Sequence, residues 1–268
     1  MVVIGLGGAG RAIATEFKKW PQYSVITPKI PKYETVEEYE KNTPNFKRSF
    51  KAAKKGEEVW FVVSGVSKEA GCTLRMMEQI KHCKIKVLYI YPEMDFTTSE
   101  AKKRNRAVFN ILQEYTRSGL LDSMYVVSNE ITENLSGGGT INNHYNKINE
   151  MITGIVHYYN IYRNTDSIMG SIQEPKSISR IRTFGMFDMI KGEEKYLFDL
   201  DNIIETCYIY SITRDDLENN STILKNIKEK SKANVSENTN SSFVIYETEY
   251  GQNFCHIVAY THHIQERK

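Results

Sequence analysis

The sequence predicts an α/β protein: a parallel Rossmann-like sheet with helices on both faces, a long central helix, and then a smaller α+β C-terminal domain. Three observations predict it. Apolar, strand-like runs alternate with helical patterns through the first 160 residues, the order that gives parallel strands joined by helical crossovers. The first such run, "VVIGLG", passes directly into a glycine-rich turn and a helix. Beyond residue 164 the pattern changes to strand-like runs with a single helix among them.

In order, residues 2–7 form a short apolar strand, 10–20 a helix and 23–27 a second strand. The Pro-, Lys- and Glu-rich stretch 28–46 reads as a surface excursion, followed by a helix near 45–55. "EVWFVVSG" (58–65) is the uninterrupted apolar run of a strand buried on both faces. A helix over 73–82, a strand over 86–92 and a long amphipathic helix over 99–119, capped by Ser99, come next. A strand at 123–129, the tract "SGGG" and a helix over 143–163 complete the first domain, 1–164. In the second domain, 165–268, a polar connector with one short helix (164–183) precedes strands at 182–190, 205–212, 241–251 and 253–264, with a helix at 216–231.

Bulk properties narrow the function. Thirty-five basic residues against 33 acidic ones leave a formal charge of +2, no global footprint for nucleic acid or an anionic membrane. The local run "KRSFKAAKK" reads as a basic helix face. The four cysteines show neither a C-x-x-C motif nor metal-ligand spacing, which fits buried free thiols in a reducing cytoplasm. His256, His262 and His263 share the last strand without a third ligand at convincing spacing, so no metal is expected. No membrane span is expected either.

Gly5, Gly7, Gly8 and Gly10 lie between the first strand and its helix, where backbone N–H groups can meet a phosphate at the helix N-terminus. The same glycines also serve a tight turn without a ligand. A dinucleotide pocket expects an acidic residue about 20 positions on, at the end of the second strand. Here "YSVITPK" has Thr27 and Pro28 at that place and no NADP-type Arg, with Lys29 as its stand-in, which weakens the NAD(P)-dependent oxidoreductase reading. Further along, Glu100 and Arg104 stand four apart at a helix start, the spacing of a phosphate- or ribose-binding pair and equally of a surface ion pair. Asn129 ends a strand at the same carboxyl edge. Tyr145 and Asn149, four apart on one helix, can stack a base and read its polar edge, or pack and solvate the helix.

At these residues the sequence resembles the tubulin/FtsZ superfamily. The glycine loop is similar to that family's G-x-G-G-x-G, "EAKKR" to its E-G-x-x-R segment, "VVSNEI" to its strand ending in I-P-N-D, and "HYNKIN" to its guanine-contacting helix. The resemblance implies a GTPase-type sheet, GTP or GDP as ligand with Mg2+ as an accompanying cation, and self-association into head-to-tail protofilaments. It gives Glu100 and Arg104 roles at the sugar and phosphate, makes Asn129 a further nucleotide-site residue, and gives Tyr145 the ring and Asn149 the base contact. The chain also ends soon after its last strand, without the linker and recruitment peptide of the family's cell-division members, so a division-ring role is not expected.

Two departures qualify the resemblance. In place of the family's G-G-G-T-G-[ST]-G loop stands "SGVSKEAGCTLRM", where Gly71, Cys72 and Thr73 are left to offer N–H groups, Lys68 adds a favourable charge and Glu69 a repelling one. The family's acidic catalytic loop matches "SIQEPKSISRI", with Glu174 at the first acidic position and Ser177 at the second. A serine is no general base at neutral pH, so turnover is expected to be slow or lost unless Glu174 or Asp166 reaches the water. A tubulin-like scaffold with a degenerate site, neither hydrolysing nor polymerising, is the alternative expectation.

Overall fold

A computed structural model describes residues 1–137, 139–140, 142–172, 178–236 and 239–266. The chain forms two compact units, Met1–Gly154 with Ile264–Lys268, and Ile155–His263. The division falls inside the long helix, whereas the sequence pattern placed it at that helix's end.

The first unit is built on five parallel strands: β1 (Val2–Gly5), β2 (Ser24–Ile26), β3 (Glu58–Val63), β4 (Lys84–Tyr91) and β5 (Ser123–Ser128). Their order is β2-β1-β3-β4-β5. β1 therefore has β2 on one side and β3 on the other, and the carboxyl ends of all five strands share one edge. In such sheets the crevice where the strand order reverses is where ligands bind. Trp60, Phe61, Val62 and Val63 of β3 are all fully buried, as their continuous apolar run requires. At the amino edge the Lys86 ammonium, buried in β4, lies 3.0 Å from Asp122 and 3.4 Å from Glu58, so this end is closed by a charge cluster.

The helices of this unit are α1 (Gly7–Glu16), α2 (Val36–Lys41), α3 (Thr73–Gln79), α4 (Ser99–Arg117), α5 (Asn129–Leu135) and α6 (His144–Arg163), which continues into the second unit. Two of them, α2 and α5, lie where the sequence pattern gave none. α2 carries a complete capping box, in which Thr35 accepts from the Glu38 N–H and Glu38 reaches back to the Thr35 N–H. The expected helix at 45–55 is a short 3-10 turn over Ser49–Ala52. Here Gln79 pins the chain, accepting from the Phe46 N–H at 2.7 Å and donating to the Pro44 carbonyl at 3.0 Å. α4 is capped by Thr98, whose Oγ1 accepts from the Ala101 N–H, and not by Ser99, its first helical residue.

The second unit holds β6 (Ile181–Asp188), β7 (Glu193–Tyr196), β8 (Glu205–Thr213), β9 (Asn240–Thr248) and β10 (Phe254–Thr261), with α7 (Arg214–Asn219) and α8 (Ile223–Ala233). The order is β6-β10-β8-β9, with β7 paired to β6. β10 is antiparallel to both neighbours, while β8 and β9 are parallel and joined through α7 and α8. The expected single helix over 216–231 is thus two, broken at 220–222. Tyr208, Tyr210, Ile212, Ile227, Ile245, Cys255 and Ile257 form the core. All four cysteines are free. Among the described residues, no helix is long and apolar enough to cross a membrane.

Candidate nucleotide site at the carboxyl edge

The four glycines of the first turn differ in their surroundings. A Cβ on Gly5 would stand 2.3 Å from the Gly10 carbonyl oxygen, and one on Gly10 would stand 2.4 Å from that of Val62. These two let α1 lie directly against β1 and β3, so their absence of a side chain serves packing. Gly7 opens the helix at φ +74°, a conformation that side chains resist. Gly8 faces open space, with nothing within 4 Å of an added Cβ. α1 has no side-chain cap and no acid in its first turn, so no N-cap side chain of its own serves its first amides.

The loop after β3 closes one flank of this turn. Ser67 abuts Gly7, and the Glu69 carboxylate meets Arg11 of α1 at 2.7 Å. Gly65, at the start of the loop, is fixed by close approach, because an added Cβ would stand 2.5 Å from the Tyr89 hydroxyl. That hydroxyl donates to Asn105 Oδ1 at 2.6 Å, and burial pushes its pKa far up, so it stays protonated. Gly71 and Cys72 meet α2. An added Cβ on Gly71 would collide with the Val36 carbonyl, and the Cys72 thiol donates to the Tyr39 carbonyl at 3.1 Å. Thr73 is buried at the start of α3.

Glu100 and Arg104 form a long i,i+4 pair of 3.4 Å. The stronger contacts of Arg104 are to the Val66 carbonyl, which accepts from Nε at 3.1 Å and also from Nη2. The guanidinium thereby holds the loop after β3 in place, while Glu100 remains exposed. Gly71, Thr73, Glu100 and Arg104 line a cleft of 510 Å3 between α2, α3 and α4. The glycine turn, Asn129, Tyr145 and Asn149 lie outside that cleft.

Asn129 is the first residue of α5, directly after β5, and Ser128 caps the helix by accepting from the Ile131 N–H. Tyr145 stands at the start of α6, 67% exposed, its ring set edge-on to His144 at 4.8 Å. Asn149 is partly exposed one turn further on. His144 Nδ1 lies 3.4 Å from Glu133 of α5, which places the start of α6 beside α5, and further along Glu150 meets Lys19, beyond the far end of α1, at 3.2 Å. Glu174 and Ser177 lie outside the described residues. Sequence reasoning passed over Ser67 and Arg11; the signal for Arg11 was its position one turn into the helix behind Gly7.

Neither a protein-family model nor a curated protein matches this chain. Solved structures do. A GDP-form protofilament of Bacillus thuringiensis serovar israelensis TubZ superposes with a TM-score of 0.72 at 11% identity, covering 96% of this chain and 86% of that one. The chain has the tubulin/FtsZ fold. The M. jannaschii FtsZ dimer gives a TM-score of 0.67 at 11% identity, covering 97% of this chain and 87% of its own. CetZ from Methanosaeta thermophila strain DSM 6194 gives 0.66 at 14% identity, covering 98% and 86%. The coverage means that both units, in sequence order, take part in the match. At this fold's carboxyl edge the residues present fit a nucleotide in part. The open face at Gly8 suits an anion and the exposed Tyr145 ring suits a base, but Glu69 places a negative charge beside the turn.

Proposed function

We propose that this chain is a guanine-nucleotide-binding protein of the tubulin/FtsZ type that self-associates head to tail into filaments, with its GTP turnover slow or lost. One observation supports the reading: in a unit with this fold, the α1 turn and Asn129 each follow the carboxyl end of a parallel strand, and α6, which carries the exposed Tyr145 and Asn149, begins beside α5. The backbone amides at Gly8 would take phosphate, the Tyr145 ring the base face and Asn149 its polar edge. Asn129, at the start of α5, would make a further nucleotide contact. The names of the structural neighbours support assembly, since TubZ is described in protofilaments and in a two-stranded filament.

Slow turnover follows from Ser177 at the second acidic position of the catalytic loop, which leaves Glu174 or Asp166 to polarise water. A second reading, a scaffold with a degenerate site, is favoured by the Arg11–Glu69 pair and by the use of Arg104 on the Val66 carbonyl. Titration of fluorescent GTP, with unlabelled GDP, ATP and NADH as competitors, separates the readings. Displacement by GDP but not by ATP or NADH supports the proposal. Absence of any binding favours the scaffold, and displacement by NADH alone would return the site to dinucleotide chemistry.

A further inference from the structure

The first turn of α1 has neither an acidic side chain nor a side-chain cap of its own, yet an anion stands beside it. Glu69 reaches over from the loop after β3, and its Oε2 lies 3.9 Å from where a Cβ on Gly7 would be. Arg11, one turn into the helix, donates to that same oxygen from Nη1 at 2.7 Å. The carboxylate is held rather than free. Its side chain is 17% exposed, and the Ser67 hydroxyl accepts from the Glu69 N–H at 3.2 Å, which fixes the loop at its base. A carboxylate at the positive end of a helix dipole, paired to a guanidinium, has the charge and the contacts that a ligand phosphate would seek there.

We propose that Glu69 is a built-in competitor for phosphate, so that it sets how much negative charge this site accepts. The proposal rests on the reading above, that the β1–α1 turn receives a nucleotide. A phosphate arriving at Gly8 meets a like charge within the first helical turn, in a partly buried setting where screening is weak. Binding then requires the Arg11–Glu69 pair to open, which would turn the guanidinium from the carboxylate to the phosphate. The penalty grows with the charge of the ligand. Glu69 therefore acts against the triphosphate more than the diphosphate, and not at all against the uncharged nucleoside.

The test compares the full chain with Glu69→Gln, which keeps the shape of the side chain and its acceptor for Arg11 but removes the charge. Affinities for GTP, GDP and guanosine are measured by competition against fluorescent GTP, with thermal melting to establish that both proteins are folded. Glu69→Ala serves in its place if the amide variant does not fold. The expected result is a gain of at least tenfold for GTP, a smaller gain for GDP, and no change for guanosine. Equal GTP affinity in the two proteins overturns the proposal while guanosine binding keeps the nucleotide reading intact. Weaker GTP binding in the variant also overturns it, by making Glu69 a ligand-holding residue, for instance through a divalent cation. Folded proteins that bind no guanine ligand in either form overturn both the proposal and the nucleotide reading.

Discussion

A methyl group on Gly10 would press on the Val62 carbonyl oxygen, whereas one on Gly8 would meet nothing within 4 Å. Gly10→Ala should therefore destabilise the chain by about 1–3 kcal/mol, the usual cost of overpacking, and Gly8→Ala should leave stability within about 0.5 kcal/mol. Urea denaturation of the two variants measures the difference, and equal stabilities would contradict the packing role given to Gly10. At the base end of the site, Tyr145→Ala and Asn149→Ala should each weaken guanine-nucleotide binding by about 1–3 kcal/mol, because stacking and base reading are separate contacts. Calorimetric titration of each variant checks this; unchanged affinity in both would remove the pocket from this face. The sequence made all four glycines visible as one motif. It did not separate those that pack from the one left open, because close approach to Val62 depends on a strand more than fifty residues away. The same holds for Arg104, whose local pattern pointed to Glu100 while the tertiary fold turned it towards Val66.

Helices and strands were most legible where periodicity was long. The buried run of β3, the amphipathic α4 and the long α6 all follow from pattern alone. Short elements were not: α2 and α5 have six and seven residues, too few turns for a hydrophobic period to show. The capping box of α2, Thr35 with Glu38, was nevertheless readable as a helix start. A side-chain cluster in the second unit also escaped sequence reading, because it joins β7, β8, α8 and Asn234, the residue just after α8. There Glu194 accepts hydrogen bonds from Tyr196 and Tyr208 at 2.5 Å each, from Asn234 at 2.9 Å, and from Lys230 at 2.7 Å. Burial alone would push the Glu194 carboxyl up, but these donors outweigh it and hold the group at about 2. A depressed folded-state value means stability present above the usual carboxylate range and lost as pH falls from there through about 2. With solvent screening of a half-buried group taken into account, the cluster should contribute on the order of 1–2 kcal/mol at neutral pH. Glu194→Gln should lower the melting temperature at pH 7 and flatten its acid limb between about pH 5 and 2. An acid limb as steep as that of the unsubstituted chain would show that other carboxylates carry it.

At the scale of the whole molecule, the order of motifs along the chain disclosed more than any motif singly. Glycine turn, E-x-x-x-R helix, Asn129 and Tyr145 are each weak signals, yet their sequence is that of the tubulin/FtsZ fold, which the structural superpositions show over nearly the entire length. The chemistry was less legible for a physical reason. Assembly-linked turnover in a head-to-tail filament needs groups from two subunits, and one chain's sequence displays only half of each contact. The proposed function stands or falls on whether the chain uses a guanine nucleotide to assemble. The most direct measurement is sedimentation with negative-stain electron microscopy of the purified chain, across protein concentration, with GTP, with GDP and without nucleotide. A nucleotide-driven polymer gives filaments that pellet above a critical concentration with GTP, fewer or none with GDP, and phosphate release that stays slow even in the pelleted fraction. A monomer in all three conditions, at concentrations where fluorescent GTP is bound, would contradict it and leave the fold a nucleotide-binding scaffold.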